Sequence, residues 1–518
     1  LKVDVRKIYK QWKPLVLFSA ILVVLLLVWL IASLIPGPVD PVTTTTTTAA
    51  VDPVYQTEMT DITKIDVSNA SGTYTLVAEE VKDSAGKISQ IWRIQGMEDY
   101  PFALATVESL AKVAGYVYAS QEIATGVTDL APFGLDQPSA TIKAYLKNGE
   151  THRVRFGKEL PSGYYDYAML DDTGRICAVA STTADRVRAS LLSLLDKSKV
   201  VGLAYTDLTG LTFERARDQL RLAAEIELIG EAGSGSEYLD FKITEPVRRS
   251  GTSESLTTLA TESTAFTVAE FVELDPANLA LYGLDKPQYT FILQGEEQTV
   301  TLLLGNMADS SNFYAMTDQV PAVFTVAASS FTMIDMKVIE MMDRFVSLES
   351  IWNVSKIEAN ILGTSFVTEI EMTKDQRADD EGVVFTLDGE NARIFSETKK
   401  SLYSLFYQRL ISVMIAGLDT NATPVNTRDA RMVFHIKADE ANDVAAYKKV
   451  VEFAKRDDYT YYVFYDGVYA GFYIESEAAF TSTRKDSEGI IVAYKMMRYA
   501  MANAYDGIFN TQEGYKLD

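Results

Sequence analysis

The sequence predicts an α+β protein: an N-terminal transmembrane helix followed by three tandem α+β repeat domains, each an antiparallel or mixed sheet with packed helices. Three observations lead there. One long apolar run carries no charge, a six-residue corner is spelled twice, and around each corner segments alternating with period two are interleaved with segments of helical period.

The apolar run is LVLFSAILVVLLLVWLIASLI, Leu15 to Ile35. At 1.5 Å per residue it reaches about 30 Å, the thickness of a hydrocarbon core. It exceeds the apolar core of a cleaved signal peptide and ends in Pro36-Gly37-Pro38, so an uncleaved anchor is expected over residues 14–36. Lys2, Arg6, Lys7, Lys10 and Lys13 stand before it against a single Asp4. The positive-inside rule therefore puts residues 1–13 in the cytoplasm as a basic tail and everything after the run outside it, in a single-pass cell-membrane protein. Residues 37–58 follow as a stalk, with prolines that forbid helix and six threonines, Thr43 to Thr48, that bury nothing.

The whole chain of 518 residues carries a net charge of −23, which repels phosphate backbones and argues against a nucleic-acid partner. At 47% apolar it is a folding composition, and its length calls for about three domains. Cys177 is the only cysteine, so no intrachain disulfide and no Cys-rich metal site can form.

The corner reads FGLDQP at Phe133 to Pro138 and YGLDKP at Tyr282 to Pro287. Upstream of each, at the same distance, stand Trp92-Arg93-Ile94 and Phe241-Lys242-Ile243. Downstream, RVRFG at Arg153 to Gly157 answers VTLLLG at Val300 to Gly305, and YDYAML at Tyr165 answers NFYAMT at Asn312. The period is too long for a solenoid, so two copies of one domain follow each other, over 59–201 and 202–349. A divergent third, over 350–518, keeps AGLDTNATP at Ala416 to Pro424 and an aromatic hairpin after it.

Within a copy, the alternation of KIDVSN, GTYTLVAE and SQIWRIQG predicts strands. Pro101 to Val117 reads as a helix, and Ala140, Ile142, Ala144 and Leu146 share one face of a strand. Each copy is expected to close with a helix, from Ala184, from Ser330 and from Ile490. In the corner, Gly134 and Gly283 supply a positive φ, and Leu135 and Leu284 are buried pegs. Asp136 and Asp285 bond nearby backbone, and Pro138 and Pro287 start the next strand.

This pattern of aromatic, Gly-Leu-Asp-x-Pro, a strand pair ending in Leu/Phe-Gly, a Tyr-Ala strand and a closing helix resembles the bacterial domain of unknown function 4340 family. The resemblance covers residues 60–348 closely and the remainder loosely. It implies a membrane-anchored protein that repeats this domain and is encoded beside ABC-transporter components. It implies no catalytic residues, because the family has no established activity.

The residues themselves offer little for chemistry. His152 shares a face with Val154 and Phe156, and the second copy has Val300 in its place, so a structural role is expected. His435 alternates with Phe434 and Ile436 and has no second His or Cys nearby, so neither a metal nor a cofactor site is expected. Adjacent carboxylates such as Asp171-Asp172, Asp379-Asp380 and Asp457-Asp458 read as solvated turns rather than as a glycosidase pair. The stretch DDYTYYVFYDGVYAGFYIES offers Tyr461, Tyr465 and Phe472 as an aromatic binding surface.

The expectation is a non-enzymatic extracytoplasmic scaffold or accessory subunit of a membrane complex. Its partners would be the bilayer, through residues 15–35, and the subunits of an ABC transporter. A cell-wall glycan or peptide binding module is the alternative, with that polymer as partner, and a hydrolase the distant third.

Overall fold

A computed structural model describes residues 53–82, 88–230, 237–425 and 427–517. The anchor expected at 15–35 and most of the stalk lie outside the described residues. Among the described residues no helix is long and apolar enough to cross a membrane.

The α+β expectation is corrected: strand makes up 44% of the described residues and helix 21%. Three large antiparallel sheets carry the architecture; the second and third have nine strands in one order, and the first has eight in that order, lacking the two-residue outer strand of the others. In the first, reading across the sheet, the strands are Ile88–Ile94, Gly72–Lys82, Ile62–Asn69, Ala140–Leu146, Thr151–Glu159, Tyr165–Leu170, Arg175–Ala180 and Gln121–Thr125. Three strands meander, a helix follows, one strand crosses to the far edge, and four more strands fill the gap. The second sheet repeats this from Leu208–Arg215 to Val320–Ala327, and the third from Val354–Ile361 to Val468–Glu475. The helix after the meander is Leu104–Gly115, then Ser253–Thr264, then Leu402–Ile411.

The chain forms two compact units, one running up to Ile91 together with Glu108–Arg188, the other comprising Trp92–Val107 and Ala189–Asp518. In the first, Ile65, Val67, Ile142, Val154 and Phe156 are buried on one face of the sheet, under Ala184 and Val187 of the helix Ser181–Arg188. In the second, one continuous apolar core runs from Leu195 to Phe509 and takes in both the second and the third sheet.

The closing helices are where helical pattern and structure part. Ile490–Asn503 is a helix of fourteen residues. In the first copy the helix is Ser181–Arg188, followed by a 3₁₀ turn over Leu191–Leu194. The stretch from Ser330 has only 3₁₀ turns, Ala328–Ser330 and Val338–Glu340. The reason lies in a distant side chain. Arg215, at the end of strand Leu208–Arg215 and 3% exposed, donates from Nη1 to the carbonyls of Ile334 (2.6 Å) and Met336 (2.9 Å). A helix would aim those carbonyls along its own axis.

Candidate functional site

The two corners are built alike. Gly134 and Gly283 sit in the left-handed region at φ 68° and 69°. Each ends a 3₁₀ turn, Ala131–Phe133 and Leu279–Tyr282, and the peg that follows is buried, Leu135 wholly and Leu284 almost so. The peg's N–H donates to Leu130 O in one copy and to Leu279 O in the other. Asp136 is exposed, and no hydrogen bond from Asp136 or Asp285 to the backbone is present among the described residues. The backbone bond expected of them is made five residues before each glycine. Asp129 Oδ1 accepts from Ala131 N, and Asn278 Oδ1 from Ala280 N. The signal was in the sequence, since Asp129 and Asn278 stand at matching positions, and Asx residues favour such turns.

Against each corner lies a glycine of the next strand pair. A Cβ on Gly157 would stand 2.2 Å from Phe133 O, and one on Gly305 2.2 Å from Tyr282 O. The strand pairing slips a residue at both places, between Phe156 and Glu159 and between Leu304 and Met307. The corner aromatic then meets an aromatic of the following strand edge-on, Phe133 with Tyr167 at 5.1 Å and Tyr282 with Tyr314 at 5.0 Å. Pro138 and Pro287 precede Ala140–Leu146 and Tyr289–Gly295. These contacts are packing throughout.

The aromatic hairpin faces the other way from a binding surface. Tyr461 is 8% exposed and Phe472 1%. Tyr465 is half-buried; its hydroxyl donates to Val346 O and accepts from Arg249 Nη1 at 3.0 Å. Arg249 also lies over the Phe472 ring, 5.6 Å from its centre. A stacking platform needs open ring faces, and these rings are covered: Tyr461 meets Phe480 edge-on at 5.5 Å, and Tyr465 and Phe472 meet Arg249 of the second repeat.

Groups with reactive chemistry have structural partners. His152 Nδ1 is 2.8 Å from Asp172 Oδ2 and its ring lies 4.6 Å from that of Tyr55. His435 Nε2 is 3.3 Å from Glu358. Cys177 is fully buried, and that burial pushes its thiol pKa up. Asp171 is paired with Arg153 and Arg155, and Asp458 with Lys455. Asp457 caps the turn at Tyr459 and Thr460.

A cleft of about 630 Å³ opens in the third repeat, between helix Leu402–Ile411 and helix Ile490–Asn503. Leu402, Leu405, Phe406 and Arg409 share one face of the first helix by their spacing. Ala493, Met496, Met497 and Ala500 do so on the second, where the alanines leave room that larger side chains would fill. Leu405 is 42% exposed although it faces this apolar lining. One end is closed by Glu397, which accepts from Thr511 N and Oγ1, so its carboxyl pKa is held down by those bonds. The other end is closed by the ion pair of Arg409 with Glu488 at 3.1 Å. Tyr515 also lines the cleft, its hydroxyl pKa raised by burial and by the carboxylates of Glu488 and Glu397. The sequence alone does not single this site out, because the Met-rich stretch YKMMRYAM, Tyr494 to Met501, reads equally well as core. Met497 is buried, and Met496 beside it is not.

A family model described as "Domain of unknown function (DUF4340)" matches residues 92–246 and again 242–392. Each match begins in the third strand of one meander; the first ends just past the third strand of the next, at Pro246, and the second just past Glu390–Asn391, so both are out of phase with the sheets. Both cleft helices follow the second match in sequence. No curated protein and no solved structure matches the chain.

Proposed function

On the premise that the chain belongs to this family of unknown function, carrying two consecutive copies of its domain, we propose that it is a non-enzymatic accessory subunit or scaffold. It would be tethered at a membrane by the apolar stretch 15–35, hold its repeats on the extracytoplasmic side, and dock a subunit of a membrane complex, an ABC transporter being the complex the family resemblance implies. One observation carries the reading. The second and third repeats share a single core, and the body so formed bears an apolar-floored cleft in the part that departs most from the repeat. Exposed apolar lining on a rigid body is the mark of a docking surface. The histidines and the cysteine, each with a structural partner or buried, fit a scaffold better than a hydrolase.

The test is co-purification from native membranes, comparing the full chain, a form lacking residues 1–35, and full-length Leu405→Glu. Membrane subunits should follow the full chain and be lost with either change. Cell-wall material recovered equally with all three, and no membrane protein with any, would sink the reading in favour of a wall-binding module.

A further inference from the structure

The cleft has a charge pattern at its ends that its floor does not have. The two helices run antiparallel along it, because Arg409 at the end of the first meets Glu488 just before the second, while Glu397 before the first meets Thr511 beyond the second. Lys399 and Lys400 flank the Glu397 end, and Lys516 lies there between two lining residues, Tyr515 and Leu517. Arg484 and Lys485 flank the Arg409 end. All five are exposed, and none forms an ion pair among the described residues. Of the acidic groups nearby, Glu488 is neutralised by Arg409, while Glu397, hydrogen-bonded to Thr511, Glu513, hydrogen-bonded to Asn510, and Asp486 keep their charge and are outnumbered by the five cations. A chain of net charge −23 thus gathers unpaired cations at both ends of one apolar cleft.

From this arrangement we infer that the cleft receives an acidic amphipathic helix of a protein partner, with apolar side chains in the floor and a carboxylate at each end. The inference rests on the accessory-subunit reading and names the chemistry of the docked segment. The lining face from Leu402 to Arg409 is about 10 Å long at 1.5 Å per residue, so carboxylates roughly two helical turns apart, with apolar residues between them, meet both cationic ends. A single-headed anionic lipid would satisfy one end and leave the other unpaired. The cations supply steering and orientation, and the floor of Phe406, Met497 and the two alanines supplies the affinity. Met496 and Met497 suit such a surface, because an unbranched thioether repacks around the incoming side chains.

The experiment uses the full chain in phosphatidylcholine nanodiscs and a fluorescent helical peptide of about 15 residues. On one face the peptide bears a glutamate, leucines three and four residues further on, and a second glutamate seven residues after the first, about two turns away. Its twin has glutamine for both glutamates. The glutamate peptide should bind about tenfold tighter than its twin, as two exposed charge pairs allow, and the gap should shrink as salt is raised. Lys400→Glu with Lys485→Glu should remove the preference, and Met496→Trp should weaken both peptides by filling the floor. Equal binding of the twins, binding indifferent to the lysine changes, or no binding of either peptide overturns the inference. So does saturable, lysine-dependent binding of dodecanoate or of phosphatidylglycerol vesicles in place of the peptide. If membrane subunits still co-purify while the peptide fails, only the occupant's chemistry is wrong. If the peptide binds and no membrane subunit co-purifies, the accessory reading fails and the cleft chemistry stands.

Discussion

The carbonyl oxygen of Tyr282 occupies the space beside Gly305 so closely that a Cβ there would stand 2.2 Å from it, and Phe133 closes over Gly157 at the same distance. Two residues apart in role, a turn and a strand, are thereby specified as a pair. The repeated Leu/Phe-Gly near the end of the second strand after each corner is the imprint of this approach.

Gly305→Ala should therefore cost more than an ordinary strand substitution, about 2–3 kcal/mol, because backbone rather than a flexible side chain must move. Gly72→Ala has open space around it and carries only the strain of its positive φ, so it should cost about 1 kcal/mol. Urea midpoints of the two variants check the order; an equal loss at both would contradict the close approach.

Arg249 joins the second repeat to the third. Its guanidinium donates to Tyr465, to Asp343 O at 3.2 Å and to Phe345 O, and lies over Phe472. Arg249→Ala should remove about 3 kcal/mol of coupling, since hydrogen bonds from a charged donor are worth about 1.5–3 kcal/mol each and several carbonyls are left unpaired. Calorimetry should show the transition of the second unit broaden or divide, while Tyr465→Phe, which loses one hydroxyl, should shift it by a smaller amount.

The Arg215 guanidinium, hydrogen-bonded to Asp218 at 2.9 and 2.8 Å, holds that carboxyl below the usual aspartate range. A depressed folded-state pKa contributes stability that is present above the unfolded value, about 3.9, and is lost as pH falls through the folded value. Asp218→Asn should lower stability in the neutral region and leave less to be lost below about pH 4, so that the acid limb of the stability profile flattens. Arg215→Met should instead lower stability at every pH, by about 3 kcal/mol, because the carbonyls of Ile334 and Met336 lose their donor.

At the alkaline side the sign reverses. Hydrogen bonding to Glu273 at 2.6 Å, with burial, pushes the Tyr282 phenol up to about 12. A raised folded pKa gives stability that is complete below the unfolded value, about 10, and drains away as pH rises toward 12. Tyr282→Phe should remove that share of the alkaline loss, and absorbance titration near the tyrosinate band should show one fewer late-ionising phenol in Glu273→Gln.

Cys177 should resist a thiol reagent in the folded protein and react fully in denaturant, since it is sealed in strand Arg175–Ala180. Rapid labelling under native conditions would mean that the strand opens.

The sequence by itself determined what is local or repeated. Gly134 and Gly283 declare their left-handed backbone in the spelling of the corner, Leu135 and Leu284 declare their burial, and the matched segments around them declare that one unit recurs. Alternation in strands such as Ala140–Leu146 fixed which residues look inward, because the other face is more polar.

Tertiary structure decided the rest, wherever two local answers were equally good. The segment after Ser330 has a helical pattern, yet Arg215, more than a hundred residues earlier, takes its carbonyls. The hairpin at Tyr461 to Phe472 is aromatic on both faces, with Tyr462 and Tyr473 outward and Tyr461 and Phe472 inward, so composition could not say which face meets the core. The cleft exists because two helices far apart in sequence, each apolar along one side, stop short of closing on one another over Ala493 and Ala500. Hydrophobic pattern fixes that a face seeks cover; only the packed neighbours fix what covers it, and where cover is missing.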